Sequence, residues 1–394
     1  MERIGIYGGT FNPPHLGHIQ GARYAREALG LTRLLMIPDH IAPHKEIPEG
    51  TAAPEQRLAM LRLACGELEG VLASDIELRR QGRSYTYETV EQLHGEYPEA
   101  RLFLIMGTDM FLSFGTWREP KRILKHAALA VLYRGEPGEA AAIEKQKRLL
   151  EEKGAEVYLL RNPVVNISST TLRRLIAFAC GDEFLPKPVA DFIRENRLYG
   201  AGADYRGLPM EELERVVIGL MNPQRVPHVL GCRDTAAELA RLYGADETDA
   251  ARAGLLHDIT KALDGPMQLT LCRAYGRILD SFSQKNPKTL HALTGSLVAE
   301  RIFGENEAVV SAIRSHTTGK ANMDLLEKIL YVADYMEPNR DFPGVEELRS
   351  AAFQDIDLAL RMGLEKTLDM LREQGREISP ESAQALEYLY KHGS

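Results

Sequence analysis

The chain has 394 residues, of which 44% belong to the hydrophobic set and 26% are charged. This ordinary globular composition excludes a disordered, collagen-like or coiled-coil chain, and the length favours two domains over one. Residues 1–200 hold 26 basic and 26 acidic side chains, whereas residues 201–394 hold 22 and 30, so the net charge of −8 lies in the second half.

The sequence also limits the partners and the location of the protein. An acidic surface is a poor partner for nucleic acid, because phosphate binding needs clustered Lys and Arg. No apolar run approaches the ~20 residues of a membrane helix, and the N-terminus lacks a signal-peptide pattern, so we expect a cytoplasmic protein that binds no membrane. Homo-oligomers are left open. Four widely spaced cysteines favour buried thiols over disulfides or a thiolate zinc site: Cys65, Cys180, Cys232 and Cys272.

Residues 3–199 alternate short apolar runs with longer amphipathic stretches. The apolar runs predict strands at Arg3–Tyr7, Arg33–Ile37, Val71–Ser74, Leu102–Gly107, Ala128–Tyr133 and Val157–Leu160. Apolar residues that return every three or four positions predict helices between them, including Leu16–Ala28, Pro54–Cys65 and Tyr87–Tyr97. This alternation predicts a Rossmann-like α/β domain with a parallel sheet, in which the loops after the strands gather along one ligand-binding crevice.

A glycine-rich stretch marks the end of this domain. We place the first domain at residues 1–200, a linker at 201–208 and a second domain at 209–394. Beyond the linker the apolar spacing predicts helices at Met210–Leu220, Arg233–Tyr243, Asp249–Leu256, Ser296–Phe303, Glu307–Arg314, Asp324–Met336 and Ala359–Gln374. The second domain is therefore expected to be an all-α bundle.

The segment Gly8–His18 follows the first strand directly and opens the first helix. Its two leading glycines allow close backbone approach to a ligand, and the helix N-terminus attracts phosphate. His15 and His18 stand three residues apart on one face of the helix start. A second helix start carries the hydroxyl groups of Ser168–Thr170 and, one turn in, Arg173, which suits an oxyanion, although ordinary helix capping is the alternative.

These features resemble the signature of the nucleotidyltransferase superfamily, and more narrowly that of bacterial nicotinate-mononucleotide adenylyltransferases. The resemblance covers nearly all of residues 1–200 and includes Pro43-His44-Lys45, Ser84–Thr89, Gly107-Thr108-Asp109, Trp117 and Ile167–Arg173. Asn12 and Thr108 depart conservatively from the family pattern. The resemblance implies an ATP site made of Gly8, Gly9, Thr10, Phe11, His15, His18, Gly107, Asp109, Ser168, Ser169, Thr170 and Arg173.

The same resemblance implies contacts to nicotinate mononucleotide from Lys45, Tyr85, Thr86 and Trp117, although a core role is the default for Trp117 beside Phe111 and Phe114. The implied reaction is attack of the mononucleotide phosphate on the α-phosphorus of ATP, which gives deamido-NAD and pyrophosphate. Developing charge would be neutralised by His15, His18, Lys45 and Arg173. Mg²⁺ would be carried by the triphosphate.

The helical half carries a dispersed set of imidazoles and carboxylates: His228, His257, Asp258, His291, His316 and Asp334. Any one of these histidines, taken alone, is more often a satisfied structural residue than a ligand. Taken together, neutral imidazoles and carboxylates from several helices of one bundle suit Fe, Mn, Ni or Zn. The sequence therefore predicts a metal centre in the second domain.

This set resembles the HD superfamily of metal-dependent phosphohydrolases, and the match covers approximately residues 209–392. The segments Gly254–Lys261, Ser315–Gly319 and Ala333–Phe342 resemble the bacterial members that hydrolyse diadenosine tetraphosphate symmetrically. The resemblance implies two ions, with iron as the expected metal. One ion would be held by His228, His257, Asp258 and Asp334, and the second by His291 and His316, with Asp258 as the bridging catalytic group. Candidate phosphate ligands are Lys261, otherwise a surface lysine, and Arg340.

The two resemblances together predict a bifunctional enzyme. Its first domain is expected to make deamido-NAD, and its second to split diadenosine tetraphosphate into two ADP. A metal site of this kind specifies phosphate chemistry better than it specifies the substrate. Two alternatives therefore stay open for the second domain: a hydrolase of another nucleotide, and a sensor that binds ADP without turnover.

Overall fold

The computed structural model describes residues 1–41, 50–66, 68–80, 82–133 and 138–392. The chain divides into two compact units, Met1–Gly202 and Ala203–Ser394. The first unit is α/β and the second is helical, which confirms the predicted fold class. Among the described residues, no helix is both long enough and apolar enough to cross a membrane.

The first unit is built on a parallel sheet of six strands in the order β3-β2-β1-β4-β5-β6. The strands are β1 Arg3–Gly9, β2 Arg33–Pro38, β3 Val71–Ala73, β4 Arg101–Gly107, β5 Ala127–Leu132 and β6 Val157–Leu160. Each corresponds to a strand that the sequence predicts, with small shifts at the ends. From β1 the chain adds strands toward one edge of the sheet, and from β4 it adds them toward the other edge. The boundary between β1 and β4 is therefore a topological switch point, which is where open α/β sheets bind ligands.

Helices cover both faces of this sheet. They are α1 Leu16–Leu29, α2 Pro54–Cys65, α3 Ile76–Arg80, α4 Thr86–Glu96, α5 Thr108–Leu112, α6 Pro120–His126, α7 Glu139–Glu151, α8 Ser169–Ala177 and α9 Lys187–Glu195. One core contains buried residues of α1, α2, α8 and α9, and the other contains buried residues of α4 to α7. Burial on both faces explains why the strands are nearly continuous apolar runs.

The sheet opens at the switch point. Pairing between β1 and β4 ends at Tyr7 with Ile105, although both strands continue beyond these residues. On its other side β1 pairs with β2 as far as Gly9, and β4 pairs with β5 as far as Gly107. The carboxyl ends of the two central strands therefore separate and leave a crevice between the loops that follow them.

The second unit consists of helices in its described residues. They are α10 Met210–Leu220, α11 Val226–Tyr243, α12 Glu247–Leu256, α13 Gly265–Ala274, α14 Ser281–Lys285, α15 Leu290–Val298, α16 Glu307–Ser315, α17 Leu325–Met336, α18 Val345–Ala352, α19 Ile356–Glu373 and α20 Pro380–His392. A π-helical turn, Ala299–Phe303, continues α15. The sequence predictions missed α13, α14, α18 and α20 and the first turns of α11 and α15.

The end of the predicted linker packs on this second unit. The ring of Tyr205 stacks on Phe303 with 5.5 Å between centroids. Arg252 donates to the carbonyl oxygen of Leu208 at 2.8 Å and forms a buried ion pair with Glu305 at 2.6 Å. Residues 205–208 are thus held by the second unit, and the division between the units falls at Gly202, inside the predicted 201–208 linker.

Candidate active sites

The loop after β1 is shaped by its two glycines and by the buried Phe11. Gly8 is exposed at the end of the strand, and a Cβ added there would meet nothing within 4 Å. A Cβ at Gly9 would lie 3.2 Å from the ring of Phe11, which folds back over the glycine. Phe11 takes a positive φ of 48° and is 2% exposed. The backbone at Gly8 is therefore open to an approaching ligand.

His15 and His18 meet at the start of α1, where His15 is the N-cap residue. Their ring centroids lie 3.7 Å apart, and the backbone N–H of His15 donates to Nδ1 of His18 at 3.2 Å. Phe11 packs edge-on against His18, with 5.0 Å between centroids. These contacts fix the orientation of the His18 ring at a helix N-terminus, where the unpaired N–H groups and the dipole favour an anion.

The second predicted phosphate element lies against this loop. Ser168 caps α8 by accepting from the N–H of Thr171 at 3.1 Å. Ser169 donates to the carbonyl oxygen of Pro13 at 3.2 Å, and Arg173 donates to that of Asn12 at 2.9 Å. Arg173 also donates to the hydroxyl of Thr170 at 3.3 Å. The fold thus brings together two segments that are far apart in the sequence.

Two positioning contacts of this loop were missed by the sequence analysis. Arg57, which is 3% exposed, donates to the carbonyl oxygen of Thr10 at 2.7 Å and pairs with Asp39 at 3.0 Å. Tyr199 donates to the side chain of Asn12 at 2.7 Å. A signal for Arg57 was present, because this charged residue occupies the apolar face of α2 together with Met60 and Leu61.

The remaining predicted residues of the first unit lie at the carboxyl end of β4, in the segment that follows it, and at the start of α4. Gly107 is the N-cap residue of α5, and Asp109 is exposed in the first turn of that helix. Tyr85 is the N-cap residue of α4 and Thr86 its first residue. Trp117 is half-buried against Phe114, with 5.3 Å between centroids. Lys45, with Pro43 and His44, lies outside the described residues.

An arginine next to Trp117 borders the same surface. The guanidinium of Arg118 lies 4.5 Å from the ring centroid of Tyr85. Its hydrogen bond lowers the pKa of the Tyr85 hydroxyl below the usual range. Arg118 therefore places a positive charge beside the residues predicted to contact the mononucleotide.

In the second unit, five elements bring the six candidate metal ligands together. His228 lies in the first turn of α11, His257 and Asp258 directly follow α12, and His291 lies in the first turn of α15. His316 directly follows α16, and Asp334 lies near the end of α17. All four histidines are buried, with exposures between 0% and 8%.

Asp258 lies between two groups of histidines. Its Oδ2 is 3.7 Å from Nε2 of His228 and 3.5 Å from Nε2 of His257. Its Oδ1 is 3.5 Å from Nε2 of His291 and 3.8 Å from Nε2 of His316. Each carboxylate oxygen therefore faces a different group, which is the arrangement that a bridging ligand needs.

Asp334 joins the first of these groups. Its Oδ1 is 3.2 Å from Nε2 of His228 and 3.8 Å from Nε2 of His257. The ligand atoms of His228, His257 and Asp334 all lie within 4.8 Å of one another, as do those of His257, Asp258 and His316. Six donors thus converge on one buried volume.

The outer nitrogen of each histidine ring is also matched to an acceptor. The Nδ1 partners are Glu337 Oε1 for His228 at 3.1 Å, Gly254 O for His257 at 2.8 Å, Lys288 O for His291 at 2.8 Å and Ile313 O for His316 at 2.6 Å. A proton on Nδ1 leaves the lone pair of Nε2 facing the cluster. This is the pattern that orients histidines in metal sites.

The protonation states suit divalent cations. Burial lowers the pKa of His257 and of His291 well below the ordinary value, and lowers that of His316 to about 4. Burial alone would raise the pKa of Asp334, but the hydrogen bond from His228 and the nearby guanidinium of Arg340 hold it well below its usual range. Imidazole and carboxylate donors in this arrangement fit Fe, Mn, Ni or Zn, so the residues present fit the predicted metal centre.

Cationic and hydroxyl side chains border these ligands. Arg340 donates to Oδ1 of Asp334 at 2.6 Å, and Nζ of Lys261 lies 2.8 Å from Nε2 of His291. Arg225, which the sequence analysis missed, contacts Oδ2 of Asp258. The hydroxyl of Thr317 lies 3.1 Å from Nε2 of both His291 and His316. Lys261 reaches the site from a turn, because α12 ends at Leu256.

Comparison with known proteins identifies both units. The Cytidylyltransferase-like family matches residues 6–175. A probable nicotinate-nucleotide adenylyltransferase from Geobacter metallireducens is 37% identical over 214 residues, covering 50% of this chain and 98% of that protein. Its counterpart from Symbiobacterium thermophilum is 39% identical over 210 residues, covering 52% and 99%. The chain belongs to the nicotinate-nucleotide adenylyltransferase family.

This member of the nicotinate-nucleotide adenylyltransferase family also carries an HD domain. The HD domain family matches residues 225–339, a range that includes all six candidate ligands. A solved structure from Clostridium acetobutylicum, described as a predicted HD superfamily hydrolase involved in NAD metabolism, is 37% identical. The alignment covers 47% of this chain and 98% of that one, with a TM-score of 0.46.

Proposed function

We propose that the first unit transfers the adenylyl group of ATP to nicotinate mononucleotide, releasing pyrophosphate and forming deamido-NAD. Family membership supports this activity. The observation that carries it is the meeting of the Gly8–His18 loop and the start of α8 beside the crevice between β1 and β4. Two helix N-termini and a glycine backbone there offer donors to a polyphosphate.

The residues of this site act mainly by positioning and by charge. His15 and His18, held against each other, would contact the phosphates of ATP, and Arg173 and Lys45 would neutralise the charge that develops on them. Gly107 and Asp109 would hold the adenosine. Mg²⁺ would enter this site with the triphosphate.

The mononucleotide would bind where Tyr85, Thr86 and Trp117 lie, with its pyridine ring stacked on the indole. The assay for this proposal supplies ATP, Mg²⁺ and either nicotinate or nicotinamide mononucleotide to the full chain and measures pyrophosphate. Deamido-NAD from the nicotinate substrate is the expected product. An enzyme that released no pyrophosphate with either pyridine substrate would refute the proposed activity.

We propose that the second unit hydrolyses diadenosine tetraphosphate to two ADP at a dinuclear metal centre. The position of Asp258 between two groups of histidines carries this proposal. The buried, neutral imidazoles and the low pKa of Asp334 support divalent ions there, and the resemblance to HD hydrolases suggests iron.

When bound, two such ions activate water and stabilise both the entering and the leaving oxygens of a phosphoanhydride. The chain contributes the six ligands and fixes their orientation through the outer ring nitrogens. Arg225, Lys261 and Arg340 supply positive charge on both sides of Asp258, which suits an extended phosphate chain. No side-chain nucleophile is needed for this reaction.

The test incubates the full chain, purified without chelator, with diadenosine tetraphosphate and resolves the products while bound metals are quantified. Two ADP with about two metals per chain is the expected result. AMP with ATP would contradict symmetrical cleavage. No turnover in a fully metallated sample would favour a different nucleotide substrate, or a sensor if ADP bound tightly.

A further inference from the structure

Glu337 is a buried carboxylate in contact with the metal-ligand group. It follows α17 directly and is 1% exposed. Its Oε1 lies 3.1 Å from Nδ1 of His228, and its Oε2 accepts from the backbone N–H and from the side-chain amide of Asn339, each at 2.8 Å. Two carboxylate oxygens thus face three donors. A glutamine would turn an NH₂ group toward one of these donors, whereas both oxygens of a carboxylate can accept.

The helix that carries His228 has a glycine where it packs against this carboxylate. Gly231 lies three residues after His228 on α11, and a Cβ added there would lie 2.3 Å from Oε2 of Glu337. Any side chain at this position would displace either the carboxylate or the helix. The glycine therefore lets Glu337 approach the ring from behind.

The backbone around Glu337 is fixed as well. Arg349 donates to the carbonyl oxygens of Glu337 at 2.9 Å and of Arg340 at 3.0 Å. The N–H of Arg340 donates to the carbonyl oxygen of Glu337 at 2.9 Å, while its guanidinium holds Asp334. One turn after α17 therefore supports two ligands from outside, His228 through Glu337 and Asp334 through Arg340.

His228 differs in this respect from the other three histidines, whose Nδ1 partners are neutral backbone carbonyls. A carboxylate acceptor makes a stronger hydrogen bond than a backbone carbonyl and raises the basicity of the ring as a ligand. We infer that Glu337 is a positioning residue that sets the affinity of the ion held by His228, His257 and Asp334. This inference rests on the proposed metal centre but not on the proposed substrate.

The test measures Mn²⁺ binding to the full-length Glu337→Gln protein by calorimetry and by metal content after dialysis. We expect about 10- to 100-fold weaker binding of one ion and unchanged binding of the other. The matched control is Glu327→Gln, because Glu327 is also 1% exposed and lies on α17 but contacts Ser311 and Lys320 rather than a histidine. The control should bind both ions as the parent does.

Two further variants separate positioning from general stability. Gly231→Ala leaves the charge in place but displaces the carboxylate, so it should weaken the same ion, whereas Glu337→Asp should recover part of the affinity. Metal affinity in Glu337→Gln equal to that of the parent or of Glu327→Gln would overturn the inference, and so would equal weakening of both ions. A parent protein that bound no divalent ion would refute the metal centre and the inference together.

Discussion

The phosphate-binding loop of the first unit and the histidine cluster of the second reach their chemistry by different routes. The Gly8–His18 loop supplies most of its groups from one stretch of chain, and the distant side chains of Arg57 and Arg173 hold its backbone carbonyls. In the cluster five helices, or the turns that directly follow them, contribute the six ligands, and backbone carbonyls hold three of the four rings. In the first unit, side chains position a loop that would bind its ligand largely through backbone N–H groups. In the second unit, backbone carbonyls position the side chains that would bind the metal.

This difference predicts unequal responses to substitution. A loop that binds through many N–H groups loses one contribution when one side chain is removed. In a buried cluster, one ligand can be shared by two ions. Removing it should release both ions, because each is then left with an incomplete set of ligands. Substitution of a site side chain should therefore give graded losses in the first unit, whereas loss of the shared ligand should be close to all-or-none in the second.

The largest effect is expected for Asp258→Ala. Since its two oxygens face both groups of histidines, the variant should lose both ions, and hydrolysis of the dinucleotide should fall by about 10³-fold or more. Adenylyl transfer should stay at the parent level. Product analysis and metal content on one sample check this. Asp246→Ala, which removes the cap of the helix leading to His257, is the control, and hydrolysis retained in Asp258→Ala would contradict the bridging role.

For His18→Ala we expect adenylyl transfer to fall by about 100-fold, or about 2.7 kcal/mol of transition-state stabilisation, with hydrolysis unchanged. The reason is that His18 lies at the start of α1, at the end of the loop that begins with Gly8. Steady-state rates with ATP and nicotinate mononucleotide provide the measurement. His94→Ala, which removes a ring that packs against His126 elsewhere in the unit, serves as the control. A loss of less than tenfold in His18→Ala would exclude the assigned role.

Ligands should protect the cysteines of the two units separately. Burial raises the pKa of Cys65 on α2 to about 12 and that of Cys232 on α11 well above its usual value, so alkylation requires opening of the structure. At a ligand concentration of 100 Kd the labelling rate should fall by about 100-fold. ATP should slow labelling of Cys65, and Mn²⁺ that of Cys232, as followed by peptide mass spectrometry. If either ligand slowed both thiols equally, the two units would not respond independently.

The smallest effects should come from two helix caps. Ser168→Ala and Asn306→Ala each remove a side chain that accepts from an N–H three residues on, so each should lower the free energy of unfolding by about 1 kcal/mol. Ser168 also belongs to the predicted ATP site, whereas Asn306 caps α16 in the second unit. The KM for ATP should therefore rise in Ser168→Ala alone. Equal KM values in the two variants would mean that Ser168 acts as a helix cap and does not contribute to ATP binding.

The fold class could be predicted because two patterns are clear in this chain: short apolar runs typical of buried strands, and apolar residues at the spacing of a helix. Strands β2, β4 and β5 are buried on both faces and appear as apolar runs between turn residues. The start of α15 was missed for the opposite reason. Nearly every residue of Leu290–Val298 is buried, so this helix has no polar face and its sequence lacks an amphipathic period.

The candidate sites were predicted where their residues are local or chemically distinctive. Gly8–His18 is continuous, and a set of histidines and aspartates is conspicuous even when dispersed. Arg57, Arg225 and Glu337 were not assigned, because ordinary charged residues acquire their roles through contacts between distant segments. Such contacts depend on tertiary packing, which spacing along the chain does not reveal.

The packing of Tyr205 on Phe303 and of Leu208 on Arg252 bears on how the HD unit could be separated. A fragment that began at residue 209 would leave the Phe303 ring without its stacking partner and would deprive Arg252 of one acceptor. A fragment that began at Ala203 would keep both contacts. The residue at which the fragment begins, rather than the metal site, would then decide whether the isolated second unit keeps its native packing around Phe303 and Arg252.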